Sequence, residues 1–374
     1  MKTNLIKEKL NIYWRDIDKD ILLSFVTLFL LGLFFSFAST SSLAGERFEK
    51  DYYFFFTKHL VFVIFALILM FFISALDLKF LNKFIIPAFL VLYFCLILVH
   101  IVGIEVKGSK RWLNLYLFRF QPIEFLKPFF ILITAKILTS ENFKSLKVSY
   151  FLSFLLLLAI LILLVNQPDI GQSVLLFACW MAIIFISGVN IFYILSFFAA
   201  SILSLTALLI TFPDKFGYIT NRLTSFLDPS KGDSFQSQRA LDAIRQGGLK
   251  GQGMGEGILK DNVPEAHTDY IIAVITEEFG SIISIFLIFI FLYISLRIIK
   301  KTISELDKNL RVALCGLASL LIFQAFIHIG VNTSLLPTTG MTLPFLSYGG
   351  SSLFGSSILA GLILNYTKNR VIHE

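Results

Sequence analysis

Charge is what this sequence has least of. Of its 374 residues, 15% are Asp, Glu, Lys or Arg, against about 25% in an ordinary soluble domain. With 56% hydrophobic residues besides, a water-soluble globule is excluded. Cysteine is scarce too: Cys95, Cys179 and Cys315 all lie in apolar runs without CxxC spacing, so neither a disulfide framework nor a metal cluster is expected. No Walker A sequence occurs. The glycines between 247 and 257 follow no strand and lack the dinucleotide spacing, so no nucleotide cofactor is expected. The strict apolar–polar alternation of an outer-membrane barrel is absent as well. The net charge of +7 comes from basic residues scattered in short loops, a pattern that orients membrane proteins and does not bind nucleic acid.

What the chain has in quantity is apolar runs. Ten recur, at approximately 21 to 38, 54 to 76, 84 to 104, 121 to 138, 149 to 165, 170 to 187, 190 to 212, 270 to 296, 312 to 332 and 353 to 366. They match or approach the ~20 helical residues that cross ~30 Å of hydrocarbon. The expected fold is an all-α polytopic membrane protein of about ten transmembrane helices, one integral membrane domain over residues 1–374. The fourth run is the least regular, interrupted by Gln121, Pro122, Glu124, Lys127 and Pro128. Although Ser42-Leu43-Ala44 follows the first run, that run exceeds the 7 to 15 residues of a signal-peptide core and reads as an uncleaved span.

Lys and Arg in short loops set the orientation. Lys2, Lys7, Lys9, Arg15, Lys19, Lys79, Lys83, Lys144, Lys147, Arg297, Lys300, Lys301, Lys308, Arg311, Lys368 and Arg370 gather on one side, 16 against 7 in the short opposite loops. Both termini are therefore expected in the cytoplasm, and the long loop between the seventh and eighth spans, residues 213–269, outside. This loop of 57 residues carries seven Lys or Arg and eight Asp or Glu. It is too short and polar for a core of its own, and long loops of this kind are functional or disordered. Its glycines imply a flexible backbone.

Ionisable residues at membrane depth are functional candidates. Glu124 and Lys127 stand three apart on one helix face and either pair structurally or serve a site. Asp169 occupies the Asn166-Gln167-Pro168-Asp169 turn. The densest group is Pro264-Glu265-Ala266-His267-Thr268-Asp269. A carboxylate where water gives way to hydrocarbon has its ionised form disfavoured, which suits a general base, and Asp269 meets that condition best. Two other readings stay open: Thr268 or Asp269 as a helix N-cap, and Glu265, His267 and Asp269 as metal ligands. Basic residues on the same side, Lys107, Lys110, Arg111, Arg119, Arg222, Arg239, Arg245, Lys250 and Lys260, suit an anion such as a lipid diphosphate, or headgroup contact. An enzyme facing outward has no ATP at hand, so its substrate must carry its own leaving group.

Several motifs resemble the SEDS family in order along nearly the whole chain. They are Lys107 to Leu113 leading to Gln121-Pro122-Ile123-Glu124-Phe125-Leu126-Lys127; Gln167-Pro168-Asp169-Ile170-Gly171; Gln238 to Ile244 with Gly247-Gly248-Leu249; Gly255 to Lys260; Pro264 to Asp269; Glu277-Glu278-Phe279-Gly280; and Gly340 to Ser352. Within the family the pattern resembles the FtsW division branch more than the RodA elongation branch. Ile123, where the motif has a small residue, and Thr339, where the FtsW branch has Lys, depart from it.

The resemblance implies a SEDS-type fold and a peptidoglycan glycosyltransferase that polymerises lipid II beside a class B penicillin-binding protein, an FtsI-like transpeptidase, with other divisome membrane proteins. The expected location is the cytoplasmic (inner) membrane at the division septum. Asp269 matches the family's essential acid. In that role it takes the proton from the acceptor's GlcNAc 4-hydroxyl as this oxygen attacks MurNAc C1, inverting the linkage and expelling undecaprenyl diphosphate. Substrate-binding roles are implied for Arg111, Arg119, Glu124, Lys127, Lys260, Glu265, His267 and Ser347, and a divalent cation, Mg²⁺ or Mn²⁺, is expected. A lipid-linked precursor flippase would instead line the whole membrane depth with ionisable residues, and a non-catalytic divisome scaffold would leave the Glu265 to Asp269 cluster without a role.

Overall fold

The structure is a computed structural model that describes residues 2–40, 54–106, 108–115, 119–141, 145–228 and 235–369. Ser42-Leu43-Ala44, Lys107, Lys144 and Arg370, which entered the reading above, lie outside the described residues.

Fourteen α-helices are described: α1 (Lys2–Asp16), α2 (Lys19–Thr40), α3 (Phe54–Ala75), α4 (Leu78–Val102), α5 (Pro122–Thr139), α6 (Leu146–Asn166), α7 (Ile170–Ile186), α8 (Ile191–Thr211), α9 (Pro213–Leu227), α10 (Phe235–Gly247), α11 (Ile271–Phe279), α12 (Ser281–Ser304), α13 (Lys308–Asn332) and α14 (Gly350–Tyr366). Helices α2, α3, α4, α6, α8, α12 and α13 are long and apolar enough to cross a membrane. Helices α5, α7 and α14, of 18, 17 and 17 residues, occupy the other three expected spans. The fourth run is continuous after all. Pro122 sits in its first turn, where a missing N–H costs nothing, and the interrupting charges are buried inside the protein.

Two features depart from the sequence expectation. A small antiparallel sheet, β1 (Ile104–Val106), β2 (Ser109–Asn114) and β3 (Arg119–Phe120), lies between α4 and α5. Its registers pair Glu105 with Lys110 and Asn114 with Arg119, so the fold is helical but not purely so. The expected span at 270 to 296 is also two helices. Gly280, at φ 84, ends α11 and starts α12, and the membrane-length helix is Ser281–Ser304.

The bundle has two ends that its hydrogen bonds identify. At one, the Asn369 N–H donates to the Asp16 carbonyl (2.8 Å), and Asp18 takes Arg297 at 3.3 Å and Lys301 at 3.8 Å, so the end of α1 and the residues after α14 sit together. At the other meet the ends of α4, α6 and α13, the starts of α5, α7, α11 and α14, and the 213–269 segment. Helix α14 packs most closely on α3, and α13 on α7 and α12. Helix α8 buries a single side chain, Ile194; its apolar surface suits hydrocarbon on nearly every side.

The described residues of the 213–269 segment, 213–228 and 235–269, are more ordered than their composition suggests. They fold into α9 and α10, and the glycine stretch is clamped to the end of α11. The N–H groups of Gln252 and Gly253 donate to the carbonyls of Glu277 (2.8 Å) and Glu278 (3.0 Å), and that of Ser281 donates to Gly248 (2.9 Å). The expectation of a flexible glycine stretch is therefore corrected: the glycines permit contact. Gly251 lies at φ 81, and a Cβ there would fall 2.2 Å from the Glu278 carbonyl oxygen. Gly251→Ala is expected to destabilise the protein by about 1–3 kcal/mol through strain and overpacking, seen as a lower melting temperature in detergent. An unchanged melting temperature would mean that the clamp yields.

Candidate active site

Glu265 fixes the position of Asp269. It lies in the left-handed region at φ 56, and its carbonyl accepts from the N–H groups of Thr268 (3.0 Å), Asp269 (3.1 Å) and Tyr270 (3.2 Å). The Glu265 carboxylate accepts from the Thr268 hydroxyl at 2.9 Å. The cap of α11 is Tyr270, so the N-cap reading of Thr268 or Asp269 does not hold. The Asp269 carbonyl accepts from Asn332 Nδ2 (3.0 Å), whose Oδ1 accepts from the Ala273 N–H (3.2 Å). Asn332 stands one turn beyond His328, which contacts the Met341 carbonyl at 2.7 Å. Gly340 approaches from above at φ 69; a Cβ on it would sit 3.5 Å from Asp269 Oδ2. Any other residue there would be strained by that left-handed backbone, while its Cβ would make ordinary van der Waals contact with the carboxylate.

The 340–352 motif arches over this turn. The Ser347 hydroxyl donates to the Thr268 carbonyl (2.6 Å) and accepts from the Leu343 N–H (2.8 Å). The Tyr348 N–H donates to the His267 carbonyl at 2.9 Å, and the Tyr348 and His267 rings meet edge to face with centroids 5.7 Å apart. Burial pushes the Tyr348 phenol up to about 12. Ser347, expected on the substrate path, is fully buried and works as a brace.

Arg111 binds the Gln167-Pro168-Asp169 turn. Its guanidinium donates to the Gln167 carbonyl (3.1 Å) and the Pro168 carbonyl, and lies 3.9 Å from the Asp169 carboxylate. Asp169 is buried, which raises its pKa above the ordinary carboxylate range; Arg111 opposes the rise. Deeper in, Lys127 donates to Glu124 at 2.8 Å and to Gln324 at 3.0 Å, while Glu124 accepts from Gln172 at 2.6 Å. Both charges are almost fully buried. The pairing alternative is thus what the structure contains, and neither side chain reaches an open surface.

Lys260 is likewise turned inward. It pairs with Glu278, while Glu277 accepts from the N–H groups of Leu259 (2.7 Å) and Lys260 (2.6 Å). Burial raises both glutamates above their ordinary value, with hydrogen bonds and Lys260 pulling back. In this pairing Lys260 clips residues 255–260 against α11. Arg119 by contrast exposes its side chain, and its carbonyl accepts from the Ser351 hydroxyl at 2.8 Å.

Asn332 and His328, which the sequence reading passed over, also belong here, as does Arg222 from its basic set. Asn332 and His328 stand four apart in an apolar span, and polar residues at that depth were a usable signal. Arg222 donates to the Thr338 carbonyl at 3.2 Å. The Tyr270 phenol is held protonated chiefly by burial, next by the negative charge of Asp269, with Arg222 opposing. Among the described residues no three His, Cys, Asp or Glu side chains stand close enough to hold a metal ion. Glu265, His267 and Asp269 do not fit the metal reading, and the expected Mg²⁺ or Mn²⁺ has no protein cage among them.

The chain is 33% identical over 361 residues to a probable peptidoglycan glycosyltransferase FtsW of Caulobacter vibrioides, covering 96% of this chain and 92% of that one. It is 31% identical to stage V sporulation protein E of Bacillus subtilis, covering 93% and 97%. A chain solved in a peptidoglycan synthase complex superposes with a TM-score of 0.77 at 26% identity, covering 94% of this chain and 97% of that one. The rod shape determining protein RodA of Thermus thermophilus superposes with a TM-score of 0.69 at 24% identity, covering 95% and 97%, which supports the shared fold. With the cell cycle protein family of FtsW, RodA and SpoVE matched over residues 19–371, and with the helix order and motif placement described above, the chain belongs to that family, a multi-pass membrane protein of the SEDS fold.

Proposed function

We propose that the protein is a peptidoglycan glycosyltransferase of the FtsW type. It polymerises lipid II at the outer face of the cytoplasmic membrane, in septal division, beside a class B penicillin-binding protein of the FtsI kind. The observation that carries the reading is the Asp269 carboxylate, set at one end of an apolar bundle by the Glu265 carbonyl, Asn332 and Gly340.

The chemistry follows from that placement. Asp269 accepts the proton of the acceptor's 4-hydroxyl as this oxygen bonds to C1 of the lipid-linked donor. The C1–O bond to the diphosphate breaks, its electron pair leaves with the diphosphate, and C1 inverts. General-base assistance contributes about 10² to 10⁴-fold. Neutralising charge on the departing diphosphate contributes a comparable amount or more.

Purified protein with its transpeptidase partner, given lipid II in detergent, is expected to produce glycan strands. Parallel reactions with and without a chelator report the role of a divalent cation. Lipid translocation across vesicles without polymer would overturn the polymerase reading in favour of a carrier. A division-defective variant that still polymerises at the wild-type rate would favour a scaffold.

A further inference from the structure

A cleft of about 140 Å³ opens between α9, α10 and the 334–338 segment. Arg222, Phe226, Ser237, Gln238, Ser334 and Thr338 are among its lining residues, and no carboxylate lines it among the described residues. The hydroxyls and the carboxamide around a cation are donors suited to an oxyanion.

Arg222 is the one cation among the described residues that line the cleft, and several neighbouring cations are already engaged. Lys127 is paired with Glu124, Lys260 with Glu278, and Arg111 spends its donors on two carbonyls and Asp169. On α10, Arg245 lies 4.0 Å from Asp242 and Arg239 lies over the Phe235 ring. Arg222 makes one hydrogen bond among the described residues, to the Thr338 carbonyl at 3.2 Å. A guanidinium has five N–H donors, so most remain for a ligand. Arg222 is also anchored in place. Its α9 neighbour Tyr218 donates to the Val165 carbonyl at the end of α6 (3.0 Å).

The segment that Arg222 grips leads straight to the candidate base. Thr338 is two residues before Gly340, roughly 7 Å of extended chain, and Gly340 sits against the Asp269 carboxylate. Cleft and carboxylate therefore flank one short stretch of backbone. An inverting displacement needs its two partners on opposite faces of C1: the base serves the entering oxygen on one face, and the leaving group departs from the other.

We propose that this cleft is the seat of the donor's diphosphate, with Arg222 as the residue that binds and neutralises it. The assignment rests on the polymerase reading for the identity of the lipid. It also gives the Gln238 to Ile244 motif a role that the Asp269 turn does not supply, since Gln238 lines the same opening.

The test measures binding without turnover, using full-length Asp269→Asn protein in detergent and undecaprenyl diphosphate as the probe. Adding Arg222→Ala is expected to weaken binding by about 10- to 100-fold, the loss typical of a charge-assisted contact. Arg222→Lys retains part of the affinity. Undecaprenol, which lacks the diphosphate, is expected to bind all variants equally. Arg222→Gln, which can still donate to the Thr338 carbonyl, controls for local folding and is expected to lose affinity like the Ala variant. Unchanged diphosphate binding in both the Ala and Gln variants overturns the assignment, as does an equal loss for undecaprenol. The two readings fail separately. Diphosphate bound through Arg222 in a protein that makes no polymer would sink the polymerase but keep the site; polymerisation with binding indifferent to Arg222 would do the reverse.

Discussion

Asp269→Asn is expected to lower glycan-strand synthesis by about 10² to 10⁴-fold, the usual contribution of a general base, while leaving the protein folded. The substitution is nearly isosteric. The hydrogen bonds that set this turn use the main chain of residue 269: its N–H donates to the Glu265 carbonyl, and its own carbonyl accepts from Asn332. What disappears is the capacity to accept a full proton at the point where Gly340 leaves room. The rate is measured on purified variant and wild type with lipid II and the transpeptidase partner, alongside their melting temperatures. Synthesis at the wild-type rate would remove Asp269 from the mechanism, and a collapse of the melting temperature would make its role structural.

The second large effect is on stability. Lys260 and Glu278 form a buried ion pair that ties the 255–260 stretch to α11. Removing one partner strands a charge away from water, which costs about 3–5 kcal/mol, whereas replacing both is often neutral. Lys260→Met and Glu278→Gln are each expected to lower the melting temperature sharply and to expose residues 249–263 to protease. The Lys260→Met, Glu278→Gln double variant is expected to recover most of the loss. Because α11 begins at the Asp269 turn, the single variants should lose activity along with the clip. If the losses of the two single variants simply added in the double variant, the pair would not be acting as a unit.

Much of this architecture could be read directly. Nine of the ten apolar runs became single helices and the eighth became two, because crossing hydrocarbon is a matter of length and hydropathy among consecutive residues. The Glu124–Lys127 pairing was legible from a spacing of three on a helix face. Asp269 stood out because a carboxylate at the entrance to an apolar helix is costly without a purpose. The motif order added the family. By contrast, Lys260 and Ser347 were expected on the substrate path, and nothing in the sequence signals the second partner of Lys127. Nothing local announces that Glu278, Gln324 or the Thr268 carbonyl waits inside to receive them.

The sequence by itself determined the membrane class, the run of apolar helices and the family, and it singled out Asp269 as the candidate base. Only the tertiary structure decided which cations are spent on internal partners and which remain available. It also showed that Gly247 and Gly251 serve close contact, that Gly280 breaks the eighth span, and that Asn332 holds the Asp269 carbonyl. The division has a physical cause. Partition into lipid depends on neighbours along the chain, whereas the partners of Asp269, Arg222 and Ser347 lie 63, 116 and 79 residues away, and only folding brings such groups within hydrogen-bond distance.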